Sequence, residues 1–249
     1  PALRHVPAGR PRIRSLPLTI ALLLGSGPNA IDCRDWPRAP FTRIVAINNA
    51  WQVRPDWDDV IFPEDFDRSR LPAHLTGHQT FVEAAAYVPA QNALGGFVWG
   101  GGTMAFTAGY YALHALRPRV IAYLGCDMVY PDRGETHFYG TGTPDPLRDD
   151  VTLRSLEAKS ARLMVLAARQ GCALVNLSGA ESRLVFPRAT PSMLETVRPR
   201  AFDPARVDAI LAAERAQGYE VPSGRYWLEE DRFDPQQIDR IDALWLGMA

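Results

Sequence analysis

The most chemically loaded stretch of this 249-residue chain is Asp127-Met-Val-Tyr130-Pro-Asp-Arg-Gly-Glu-Thr-His137-Phe-Tyr139-Gly140-Thr-Gly. It gathers an acid, two tyrosines and a histidine in a loop position. A histidine serves as general base near neutral pH, and tyrosine hydroxyls can donate to a departing phosphate. Read on the residue alone, His137 is as readily structural as catalytic. Asp127 serves equally as a brace for the neighbouring loop or as a working carboxylate. His5, His74, His78 and His114 have no comparable setting and read as structural or surface residues.

Three glycine- or amide-rich segments accompany it. Gly25-Ser26-Gly27-Pro28-Asn29 fits G-x-G, but Ala30 takes the third glycine position of the dinucleotide fingerprint, and the lysine of a P-loop is absent. Such a turn offers backbone N–H groups near a helix start, suited to a phosphate or ribose, or it is a plain strand-to-helix turn. Asn48 and Asn49 end an apolar run, where amides can bond a base or sugar, or merely form a local turn. Gly100-Gly101-Gly102-Thr103 permits close backbone approach to a ligand, or makes a hinge.

The elements that must position these segments are legible as apolar runs. Leu18–Leu24, Arg43–Ile47, Asp59–Phe62, Val120–Leu124 and Ala173–Leu177 read as buried parallel strands; Phe81–Val88 suits a strand or, by its alanines, a helix. Helices are expected from Thr103 to about Leu116 and from Asp150 to about Gln170, with Gly171 as a stop. Alternating strand and helix argue for an α/β, Rossmann-like open and mostly parallel sheet flanked by helices, with a small C-terminal helical appendage. In such sheets ligands bind beyond the carboxyl ends of the strands, and the candidate segments follow predicted strands. Residues 1–17 read as a basic arm, 18–199 as a nucleotide-binding domain, and 200–249 as a helical appendage or lid with helices at about 203–217 and 234–247.

Composition narrows the function classes. With 27 Lys+Arg against 28 Asp+Glu the net charge is −1, which argues against a general nucleic-acid binder. Lys159 is the only lysine, so phosphate must be held by amides, hydroxyls or arginine. Four arginines and no acid occupy the arm, a surface for contact with a membrane or an acidic partner. No segment reaches the ~18–20 apolar residues of a membrane span. Cys33, Cys126 and Cys172 match no zinc or disulfide spacing, so a cytoplasmic protein is the expectation, its arm either merely solvated or touching the inner membrane face.

The ordered set (G-x-G-P-N after the first strand, amides after the second, a Gly/Thr helix start, G-x-D-x-x-Y, then H-x-Y-G) resembles the bacterial sialyltransferases that use CMP-activated sugars. It equally resembles the related superfamily of flagellin-glycosylating Maf-type proteins and archaeal hydroxymethylpterin pyrophosphokinase-like proteins. The resemblance covers about residues 18–190, including Ala173–Ser178 and Ser182-Arg-Leu-Val. It implies a nucleotide site built from Gly25, Ser26, Gly27, Pro28, Asn29, Asn48, Asn49, Gly102, Thr103 and Asp127. It implies His137, Tyr130 and Tyr139 as catalytic groups, with Thr141 standing where those sialyltransferases carry their histidine base. The activity implied is an inverting, metal-independent glycosyl transfer from a CMP-nonulosonic acid to a glycan, lipid-linked or protein acceptor. No other cofactor is expected, and a homo-oligomer is compatible. The alternatives are a pterin pyrophosphokinase-like phosphoryl transfer, which needs Mg²⁺ and clustered acids such as Asp127 and Asp132, or nucleotide and glycan binding without catalysis.

Overall fold

The computed structural model describes residues 19–130, 134–141 and 149–249. The basic arm and Asp132 lie outside the described residues. Six short strands form one sheet: β1 (Ile20–Leu24), β2 (Arg43–Ile47), β3 (Asp59–Ile61), β4 (Thr80–Val82), β5 (Val120–Leu124) and β6 (Ala173–Asn176). Their order is β4-β3-β2-β1-β5-β6 and every pairing is parallel. β1 and β5 are buried at all five positions, as expected when both faces of a parallel sheet are covered.

The strand periodicity of two divides the core. Leu23, Val45, Ile47, Ile61, Ile121 and Tyr123 face one side, where the α-helices pack. Leu22, Leu24, Ile44, Ala46, Val60 and Leu124 face the other. That second face is covered by 3₁₀ turns and loops bearing Ala30, Cys33, Phe41, Val53 and Trp57.

The helices are α1 (Ala84–Asn92), α2 (Gly96–Gly100), α3 (Met104–Tyr111), α4 (Leu156–Arg169), α5 (Pro204–Gln217) and α6 (Pro235–Leu246). Four of these regions refine the sequence expectation. The run Phe81–Val88 is both things in succession, the end of β4 and the start of α1, with Glu83 between them in extended geometry. The glycine-rich segment is a tight buried corner around α2, bounded by Gly95 and Gly101 at positive φ. The expected 103–116 helix ends α3 in a π-helical turn, Ala112–Leu116, and α4 is preceded by a separate 3₁₀ turn at Val151–Leu153.

The C-terminal helices pack directly on α4. Val207, Ile238, Ile241 and Trp245 belong to the same core as the sheet. Lys159 on α4 pairs with Asp242 on α6 at 2.7 Å, and Arg162 pairs with Glu214 on α5 at 2.7 Å, all four side chains being buried. Arg162 also donates to Tyr110 Oη and the Leu94 carbonyl, while Trp245 Nε1 donates to Glu214. No helix among the described residues is long and apolar enough to cross a membrane.

Candidate functional site

The connection reverses direction between β1 and β5, because the chain from β1 runs outward to β4 and then returns to the other side of β1. The loops leaving these two strands part there, and a crevice opens at the strands' carboxyl ends. A cavity of about 520 Å³ occupies it. Gly25, Ser26, Gly27, Asn48, Asn49, Thr103, Tyr130, His137 and Tyr139 line it, so nine of the sequence-derived site residues are brought together from four loops. Four are not on its wall: Pro28, Asn29, Asp127 and Gly102.

The reason differs for each group. Asp127 accepts hydrogen bonds from Asn29 Nδ2 (2.8 Å) and Asn176 Nδ2 (2.9 Å), and Asn29 Nδ2 also reaches Ser178 Oγ at 2.7 Å. These residues tie the loops after β1, β5 and β6 together behind the cavity. Pro28 begins a six-residue 3₁₀ turn, too short and irregular to present a helix terminus to an anion. Gly102 donates its N–H to Thr152 Oγ1 at 2.9 Å and lines a neighbouring cavity.

The Gly25–Gly27 turn corrects one expectation. Its glycine amides are not available to a phosphate: Gly25 N–H donates to the Leu124 carbonyl and Gly27 N–H to the Gly125 carbonyl, each at 2.8 Å. The glycines are needed because a Cβ on Gly25 would collide with the Gly125 carbonyl oxygen and Cys126 Sγ. They let the ends of β1 and β5 touch, which shapes the crevice.

Asn48 has a left-handed φ of 56°, a conformation asparagine tolerates better than most residues. Asn49 is 2% exposed. Both Oδ1 atoms are buried and have no hydrogen-bond partner among the described residues. An unpaired buried amide oxygen costs about 1–3 kcal/mol.

Another part of the wall is aromatic. His137 N–H and Gly140 N–H exchange bonds with each other's carbonyls at 3.0 Å, making a small closed turn. Phe138 N–H donates to the Ser26 carbonyl at 3.0 Å and docks this turn on the β1 loop. The His137 ring stacks on Tyr139, with centroids 4.9 Å apart, and lies 6.4 Å from Tyr130. Thr136 Oγ1 lies 2.8 Å from His137 Nδ1. Thr141, also on the wall, donates its hydroxyl to the Gly134 carbonyl.

Sequence reasoning missed two contributors. Arg70, at the end of a 3₁₀ turn after β3, lies over both Phe66 and Tyr139, 5.6 Å from each ring centroid, and forms no salt bridge among the described residues. The only available signal was a dense run of aromatic and charged residues, Phe62-Pro-Glu-Asp-Phe66-Asp-Arg-Ser-Arg70, following a predicted strand. The second is the pair Met104 and Ala105, which the N-terminus of α3, expected from the Gly/Thr helix start, brings to the wall behind the capping residue Thr103. First-turn amides of a helix favour anions. Asp65 and Asp67 stand on the same wall near Arg70. Cys126 is present too, but burial, reinforced by Asp127, raises its thiol well above the usual range, so it is no ready nucleophile.

Fold and site define an open parallel α/β sheet with a ligand-sized polar cavity at its switch point. Among the described residues no cluster of three or more His, Cys, Asp or Glu is placed to hold a metal ion. Scans against protein-family models, curated proteins and solved structures give no match for this chain.

Proposed function

We propose that the cavity binds a nucleotide-activated sugar, a CMP-nonulosonic acid being the best fit to the sequence resemblance, and that the protein is an inverting glycosyltransferase. The observation that carries this reading is the division of the cavity wall. One part carries the side-chain amides of Asn48 and Asn49, groups able to hydrogen-bond a base or ribose. The α3 N-terminus and Arg70 offer donors to a phosphate or carboxylate, a role for which the guanidinium fork is well suited. The His137–Tyr139–Tyr130 cluster lines the same cavity, with Arg70 against Tyr139, as the group able to move a proton.

In this reading His137, whose Nδ1 lies against Thr136 Oγ1, takes the proton from the acceptor hydroxyl. The acceptor oxygen then attacks the anomeric carbon as the bond to the CMP phosphate breaks. Tyr130 and Tyr139 donate hydrogen bonds to the leaving phosphate. Asp127 acts one layer back, holding the three loops in register. Thr141, in place of the histidine of the resembled enzymes, favours nucleotide binding without transfer as the second reading.

A thermal-shift screen with CMP, CDP, UDP, GDP and ATP, with and without Mg²⁺, tests this directly, because a ligand stabilises the folded state according to its affinity. Cytidine nucleotides should raise the melting temperature without Mg²⁺. A response to ATP with Mg²⁺ alone would transfer the assignment to phosphoryl chemistry. Donor turnover that is lost in His137→Ala, with CMP binding retained, supports transfer; CMP binding with no turnover of any CMP-sugar by the unaltered protein supports the second reading.

A further inference from the structure

A second cavity of about 560 Å³ adjoins the first, and Pro63, Asp65 and Met104 line both. It lies between the loop after β3, helix α1 and residues 223–230. Its walls are rings: Tyr87, Phe97, Tyr226 and Trp227. Phe97 stacks on Tyr226 with centroids 6.1 Å apart, and Trp227 meets Tyr226 edge-on at 5.4 Å. The Trp227 side is open, since that residue is 52% exposed.

The polar lining is one-sided. Asp65, Asp149 and Glu230 form no ion pair among the described residues. Arg225, the only cationic residue on the described wall, is already paired with Glu64 at 3.2 Å. The Tyr87 hydroxyl senses this field: burial first, then Glu64 and Asp65, push its pKa up to about 12.

We propose that this second cavity binds an organic cation, an ammonium or guanidinium group on a short apolar stem. Ring faces carry negative charge density and attract cations, and the three carboxylates at the rim add a longer-range pull. A neutral apolar guest would gain the ring contacts but not the electrostatic attraction. An anion is repelled. Because the cavity shares a wall with the proposed donor site, the cation-bearing molecule is the acceptor; that last step rests on the transferase reading, whereas binding of the cation does not.

The test is calorimetric titration of the full chain with choline and with its uncharged isostere 3,3-dimethyl-1-butanol. Choline should bind saturably, and the alcohol about tenfold more weakly or worse. Asp149→Asn combined with Glu230→Gln, both exposed positions, should weaken choline binding about tenfold, and so should Trp227→Ala. Equal affinity for the two ligands, absence of saturable choline binding, or indifference to the carboxylate variants would overturn the proposal. Choline binding without any CMP response would leave the cation site standing and remove the transferase reading. A CMP response without choline binding would do the reverse.

Discussion

Lys159→Met isolates the most confined charge in the molecule. Lys159 is fully buried, its ammonium 2.7 Å from Asp242 Oδ1 and 6.0 Å from the centre of the Trp99 ring. Asp242 is 3% exposed and its Oδ2 has no hydrogen-bond partner among the described residues. Removing the ammonium leaves a carboxylate without a counter-ion in the core, which typically costs about 3–5 kcal/mol. The aspartate can relieve this by taking up a proton. Its pKa is already raised by burial against the lowering pull of Lys159. Protonating a carboxyl with the ordinary value of 3.8 at pH 7 costs about 4 kcal/mol, and this caps the charge penalty. At pH 5 the cap falls to about 2 kcal/mol. In the variant the folded-state pKa of Asp242 lies further above its unfolded value. The deficit is therefore small near pH 4 and grows with rising pH until the folded pKa is passed. Urea unfolding followed by tryptophan fluorescence at pH 5 and pH 7 measures both values. Lys159→Met/Asp242→Leu, which removes both charges, should recover much of the loss, since paired apolar replacement of a buried ion pair is often near neutral. A loss below about 1 kcal/mol at pH 7, or one that does not change between the two pH values, would refute the reasoning.

Three further outcomes are expected. Gly25→Ala forces a methyl group against the Gly125 backbone and should lower stability by about 1–3 kcal/mol or prevent folding, so an unchanged melting temperature would show that the strand ends have room. Arg70→Gln should weaken binding of an anionic nucleotide about tenfold, and Arg70→Lys should not restore it, because a lysine lacks the planar fork and the stacking between Phe66 and Tyr139; fluorescence or calorimetric titration distinguishes the cases. The twin hydrogen bonds from Arg183 hold the Glu157 carboxyl below its ordinary 4.5, a contribution present above that pH and lost as the pH falls through the lowered value. Arg183→Gln should accordingly show its deficit at pH 6 and lose it toward pH 3, and a deficit that grows on acidification would contradict the assignment.

The apolar runs made most of the sheet readable, because fully buried parallel strands need uninterrupted Leu, Ile and Val, and Ile20–Leu24 and Val120–Leu124 supply them. The short edge was harder: a three-residue strand followed directly by helix leaves Phe81–Val88 with no single period. The site was legible where residue type was unusual for its place, as with paired asparagines ending a strand. It was illegible where a residue's partner lies far along the chain. Nothing near Asp127 announces that Asn29 and Asn176, at sequence separations of 98 and 49, engage both its oxygens. Nor does the Gly25 turn reveal that its amides are taken by β5. Arg70 was hidden among 26 arginines.

The ion pairs on α4 set an order for folding during synthesis. The sheet has all six strands once Asn176 has emerged, yet Lys159 and Arg162 then still lack Asp242 and Glu214. Arg162 gains its counter-charge when Glu214 appears, and Lys159 only when Asp242 does. A chain halted at residue 199 would hold all six strands yet leave both α4 cations facing the core without these partners.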